Sequence, residues 1–117
     1  MIAGVGTDMI EIARIKRACE KKAFLTRVYT QEECQQAGEN YSRLAGTFAV
    51  KALGTGFRSF GPREIEVLRD DLGKPFVRLH GGAKKLAEEL AIQQIHVSIT
   101  NTAEYAAAFA VGERADQ

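Results

Sequence analysis

The stretch EIEVLRDDLGKPFVRL, Glu64 to Leu79, decides how the rest of the chain is read. Glu64 to Arg69 has the mixed alternation of a strand, and Phe76 to Leu79 resumes it. Between them Asp70-Asp-Leu-Gly-Lys-Pro75 is a cluster of turn formers, so the whole reads as a hairpin. Toward the C terminus, Ala83 to Leu90 is a short helix with Leu86, Ala87 and Leu90 on one side. Ile95 to Ile99 and Tyr105 to Val111 are two further strands, with Asn101 to Glu104 turning between them. Toward the N terminus the period becomes helical. Ser42 to Leu53 carries Leu44, Phe48, Ala49, Ala52 and Leu53 at helical spacing, with Ser42 as its cap, and Gly54-Thr55-Gly56 leaves the helix. Thr30, followed by Glu33, is the N-cap of an earlier helix that ends near Gly38. Phe24, Leu25 and Val28 add apolar material. Ile2 to Thr7 is a short strand, and Asp8 begins a helix, because Asp8 and Glu11 stand at capping-box spacing before Ile15 and Ala18. The expectation is an α+β fold, helices packed on a mostly antiparallel sheet, in one small domain over residues 1–117 without internal repeats.

Composition narrows the function. The chain has 117 residues, 45% hydrophobic and 26% charged, the balance of an ordinary globular domain with one core. Its 16 Lys and Arg against 15 Asp and Glu give a net charge of +1, which argues against a nucleic-acid coat or a polybasic membrane anchor. Cys19 and Cys34 make no disulfide framework, and no CxxC or His/Cys cluster suggests structural zinc. Asp8 and Glu11 interrupt what would be the apolar core of a signal peptide, and no run of about 20 apolar residues exists to span a membrane. A cytoplasmic setting is the expectation.

Several residues carry chemistry with two readings each. Asp8 is a helix cap worth about 1 kcal/mol, or a hard-metal ligand held at a strand-to-helix junction. Lys51-Ala-Leu-Gly-Thr-Gly-Phe57 is an ordinary helix C-cap, or a turn whose freed N–H groups face phosphate oxygens beside a lysine. It is not a P-loop, since GxxxxGK[ST] is absent. His96 is a core or interface histidine in an alternating strand, and His80 stands at a turn. Ser98 and Thr100 alternate with Val97 and Ile99, giving that strand one polar and one apolar face. Arg14, Lys16 and Arg17 are a solvated helix face or a docking surface for an acidic partner.

Four stretches, taken in order, resemble the holo-acyl-carrier-protein synthase family, the short 4′-phosphopantetheinyl transferases. They are Gly4-Val-Gly-Thr-Asp-Met-Ile-Glu-Ile-Ala-Arg-Ile15, Leu44-Ala-Gly-Thr-Phe-Ala-Val-Lys51 running into Ala52-Leu-Gly-Thr-Gly56, Asp71-Leu-Gly-Lys-Pro75, and His96-Val-Ser-Ile-Thr-Asn-Thr102. The resemblance implies the transferase fold and transfer of 4′-phosphopantetheine from coenzyme A to a serine of an acidic acyl carrier protein, releasing adenosine 3′,5′-bisphosphate. It implies Asp8 as the Mg²⁺ ligand and, with Lys51, as a catalytic residue. Lys51, Gly54, Thr55, Gly56, Lys74 and Pro75 would contact the coenzyme, with Thr100 and Asn101 approaching from an adjacent subunit. It also implies a homotrimer with active sites at subunit interfaces, and Arg14 as the contact to the carrier protein.

The chain departs from the family pattern twice. Where the family reads F-A-x-K-E-A-x-x-K-A-[LF]-G-T-G, Phe48-Ala-Val-Lys51 runs straight into Ala52-Leu53-Gly54, five residues fewer. Lys51 matches either motif lysine but not both, and the glutamate, the family's second metal ligand, has no equivalent. Five residues correspond to about 7.5 Å of helix and about 140° of rotation. Glu64 and Glu104 are the carboxylates considered as substitutes. The missing glutamate also supports an alternative, a non-catalytic module that binds carrier protein or coenzyme A. The second departure is Asn101 where the family has histidine; asparagine keeps a hydrogen-bond donor but takes no proton near pH 7.

Overall fold

The computed structural model describes residues 1–55 and 60–115. In chain order it contains β1 (Ile2–Glu11), α1 (Ile12–Ala18), α2 (Lys22–Val28), α3 (Gln31–Ala37), α4 (Tyr41–Thr55), a 3₁₀ turn (Pro62–Glu64), β2 (Ile65–Arg69), β3 (Pro75–Leu79), α5 (Gly81–Glu89), β4 (Ile92–Asn101) and β5 (Tyr105–Arg114). β1, β5 and β4 form an antiparallel sheet with β5 in the middle, while β2 and β3 pair separately, Val67 opposite Val77. The single sheet expected from sequence is therefore divided in two, and β3 lies beside β4 without a hydrogen-bonded ladder.

Small residues explain where α4 sits. Ala106 and Ala108 of β5 and Ala45 and Ala49 of α4 are all buried, so the helix lies close against the central strand. At Gly46 a Cβ would come within 2.5 Å of Ile99 Cγ2, so only glycine permits this approach to β4. Below the first half of α4, Ile15, Val28, Tyr29 and Leu44 form one apolar cluster with α1 and α2. Beneath its second half, Ala49, Val50, Val67 and Ala108 join the helix to both sheets.

The capping box of α3 is as expected: Thr30 Oγ1 accepts from Glu33 N–H at 3.2 Å, Glu33 Oε1 accepts from Thr30 N–H at 2.8 Å, and Gly38 ends the helix at φ 57°. Three other boundaries differ. Asp8 caps nothing: β1 continues to Glu11 because its ladder with β5 runs from Ile2↔Glu113 to Glu11↔Tyr105. That ladder satisfies both backbone groups of alternate residues, more than one side-chain cap supplies. α1 then starts with Ile12 N–H donating to Glu104 O at 2.8 Å, and Glu11 makes no side-chain cap bond. Asn40, not Ser42, caps α4, its Oδ1 accepting from Arg43 N–H at 3.1 Å. Finally, α4 continues through Gly54 and Thr55 instead of stopping at Leu53.

Candidate active site

Asp8 is placed by the period of β1. Gly6, Asp8 and Ile10 turn toward α4, while Val5, Thr7 and Met9 turn away. Asp8 is half-buried, and across the sheet it stands in one row with Ala108 and Ile99. A Cβ on Gly6 would lie 3.1 Å from Leu53 Cδ2, so the last turn of α4 ends over β1 two residues from Asp8. The structure thus brings Asp8 and the start of the glycine motif to one corner. No hydrogen bond or ion pair engages the Asp8 carboxylate among the described residues.

Among the described residues no three His, Cys, Asp or Glu side chains gather into a metal-binding group. Asp8 fits Mg²⁺ in one way, as the single carboxylate of a site whose other oxygens come from a phosphate ligand. Neither substitute joins it. Glu64 is spent on the N–H groups of Gly61, Gly82 and Ala83, which close the start of α5 and hold its carboxyl below the usual range. Glu104 is exposed in the β4–β5 turn, past the Glu11 end of β1.

Lys51 is buried: its side chain is 2% exposed and lies on the side of α4 away from Leu53. Its three donors are all used: Nζ donates to Pro62 O at 2.9 Å and to Ile65 O at 2.8 Å, and pairs with Glu33 Oε1 at 2.8 Å. Burial pulls its pKa below the ordinary lysine value, against the charge and hydrogen bond of Glu33. The physical reason is helical phase: Leu53 faces β1, and a residue two positions earlier points about 200° away.

The remaining expectations scatter. Gly54 and Thr55 have helical backbone, so their N–H groups point back along α4 and are not released at a turn. Gly56 lies outside the described residues. Lys74 and Pro75 stand at the tip of the β2–β3 hairpin, where Lys74 N–H donates to Asp70 Oδ1 at 2.9 Å, on a different sheet from Asp8. Thr100 and Asn101 close β4; Thr100 shares a row with Ala107 and Met9 on the sheet face away from α4. Arg14 is exposed on α1 with no ion pair among the described residues. His96 is neither buried nor alone, meeting Glu113 Oε1 at 3.0 Å on the outer sheet face.

A buried polar network escaped the sequence reading. Glu33 Oε2 accepts from Val67 N–H at 2.7 Å, so one carboxylate caps α3, anchors β2 and holds Lys51. Glu66 accepts from the Thr30 hydroxyl and meets His80 Nε2 at 3.0 Å and Arg78 at 3.8 Å. Burial pushes the Glu66 carboxyl up, but these hydrogen bonds and positive charges carry it below its ordinary value. The stabilisation is therefore full above the unfolded value of about 4.3 and lost as pH falls through the lower folded value. Melting temperature is expected to drop less steeply below that pH in Glu66→Gln than in the parent; parallel curves would remove Glu66 from the acid response. The one sequence signal here was the Thr30–Glu33 box, and nothing local reveals a partner 34 residues away.

Where α4 ends there is an apolar cavity of about 540 Å³, lined by Gly6, Leu53, Phe60, Leu86, Ile95 and Val77 among others.

The fold is that of a known class. The family described as the 4′-phosphopantetheinyl transferase superfamily matches residues 4–110. The chain belongs to that superfamily. It is 52% identical over 118 positions to the holo-[acyl-carrier-protein] synthase of Lachnoclostridium phytofermentans, covering 97% of each. It superposes on the crystal structure of the Neisseria meningitidis holo-[acyl-carrier-protein] synthase with a TM-score of 0.82 at 33% identity, covering 97% of this chain and 100% of that one. The Helicobacter pylori holo-[acyl-carrier-protein] synthase, solved in complex with coenzyme A, gives 0.78 at 26% identity, covering 94% and 100%.

Proposed function

We propose that this chain transfers the 4′-phosphopantetheine group of coenzyme A to a serine of an apo-acyl carrier protein, releasing adenosine 3′,5′-bisphosphate, in the cytoplasm. The observation that carries the reading is the Asp8 carboxylate, unengaged among the described residues, on the face of β1 turned toward α4. In the transfer the serine oxygen forms a bond to the phosphorus bearing pantetheine. The bond from that phosphorus to the bridging oxygen breaks, and the electron pair leaves with the adenosine bisphosphate. Asp8 would hold Mg²⁺, which supplies charge neutralisation at the pyrophosphate. The serine proton needs an acceptor, either a carboxylate or metal-activated water. Arg14, on the helix that follows β1, offers an exposed guanidinium to the acidic carrier. The test is direct: apo-carrier, coenzyme A and Mg²⁺ with this chain yield a carrier heavier by one phosphopantetheine group in the mass spectrum. An unmodified carrier, with coenzyme A still bound to the protein, would favour the non-catalytic module.

The outer face of the β1–β5–β4 sheet supports assembly as a homotrimer. Val5, Met9, Phe109 and Tyr105 are 61%, 63%, 48% and 41% exposed there, more apolar surface on one face than a lone domain normally shows. Thr100 lies on this face and Asp8 on the other, so one coenzyme molecule reaches both only where two copies meet. Phe109→Glu is expected to turn a trimer into a monomer in sedimentation velocity and to abolish transfer. A trimeric variant would move the interface elsewhere. Asn101→His is expected to tighten coenzyme A binding about tenfold, the scale of one charge-assisted hydrogen bond; an unchanged KM and kcat would remove Asn101 from the site.

A further inference from the structure

We infer that the apolar cavity between β1, β5, β4 and α5 binds a single-chain fatty acid, with Arg114 receiving the carboxylate. The cavity encloses about 540 Å³, the size of a small-ligand pocket and far above the water-sized voids of a packed interior. Its floor lacks side chains. Gly4 and Gly112 stand opposite each other in the β1–β5 ladder, and a Cβ at Gly4 would meet nothing within 4 Å. The facing wall is the apolar side of α5, with Leu86 and Leu90, beside Ile92 of β4. Leu90 remains 44% exposed, so the cavity opens to solvent at that end. Arg114 is at the same end. It pairs with Ile92, shares its sheet face with Gly112 and Ala110, and is the one charged residue of the wall among the described residues. No hydrogen bond or ion pair engages its guanidinium among the described residues. From Arg114 back to Ala110 the cavity follows four residues of strand, about 13 Å. The head end is far from Asp8, which pairs with Ala108, six residues before Arg114 on β5. Binding here needs neither coenzyme nor carrier.

An apolar cavity that excludes water takes up hydrocarbon, and the lone guanidinium selects the head. Its planar fork matches a carboxylate with two parallel hydrogen bonds. A phosphate monoester brings close to two negative charges at neutral pH, and the wall holds no second cation among the described residues to meet them. A tail with a single negative charge is therefore the better fit. Decanoate has an extended chain of about the length that separates Arg114 from Ala110.

Isothermal titration calorimetry of the full chain with sodium decanoate tests the assignment. It is run at two temperatures, because burial of the tail gives a heat that changes with temperature. Expected is one site with a Kd of about 10–100 μM. Arg114→Gln, at an exposed position, weakens it about tenfold through loss of the charge-assisted bond. Decanol, with the same tail and no charge, binds the parent and Arg114→Gln alike. Gly4→Leu places a side chain in the open space over β1 and removes binding of both ligands. Leu86→Trp fills the cavity from α5 to the same effect, should Gly4→Leu fail to fold. No saturable binding of decanoate, equal affinity of the parent and Arg114→Gln, undiminished binding to a folded cavity-filling variant, or tighter binding of decyl phosphate than of decanoate would overturn the assignment.

Discussion

Asp8→Ala lowers transfer by about 10²- to 10³-fold, the cost of removing one preorganised group from developing charge, and leaves the protein folded. Two readings of the residue separate here. As a helix cap, its loss would cost about 1 kcal/mol and move the melting temperature by several degrees. The structure shows no such bond: Asp8 lies inside β1, opposite Ala108, and α1 starts four residues later at Ile12. Its carboxylate is half-buried and unengaged among the described residues, so its removal changes stability by under about 0.5 kcal/mol. Transfer assays and thermal melts on the same preparation check both halves. An active Asp8→Ala protein would sink the ligand role, and a large drop in melting temperature would return the residue to a structural one.

Lys51→Met by itself destabilises the protein by about 3–5 kcal/mol, the usual result of leaving one member of a buried ion pair without its partner. Glu33 would keep its charge in a site where its side chain is 1% exposed, and the carbonyls of Pro62 and Ile65 would lose their donor. The ammonium also sits 5.8 Å from the Tyr29 ring centroid, a contact methionine keeps only in part. For a chain of 117 residues that loss is a fall of roughly 10–20 °C in melting temperature. Circular dichroism melts check it, and adding Glu33→Gln should recover part of the loss. A fall below about 1 kcal/mol, the range of an exposed pair, would show that Lys51 is solvated.

The elements legible in the sequence were those with a complete local signal. The β2–β3 hairpin has its turn chemistry between two apolar runs, α3 has a full capping box and a C-terminal glycine, and β4 alternates strictly at Val97, Ser98, Ile99 and Thr100. The errors fell where a local signal competed with a distant partner. The D-x-x-E spacing at Asp8 is a sound capping pattern, and it lost to a ladder with β5, about 100 residues away in the chain. Gly54 reads as a helix stop, but with Leu53 packed on Gly6 the helix runs two residues further, to Thr55. The motif around Lys51 does not encode which side of α4 its side chain faces, nor its partner Glu33.

The order of motifs along the chain determined the superfamily and the class of chemistry, because each motif is a run of neighbours whose spacing survives in one dimension. Tertiary structure alone decided that Asp8 belongs to a strand, that Lys51 is enclosed by Glu33, Pro62 and Ile65, and that Thr100 and Asp8 occupy opposite sheet faces. Those outcomes depend on strand register and helix phase, which are set by contacts between residues far apart in the chain and leave no mark on the residues beside them.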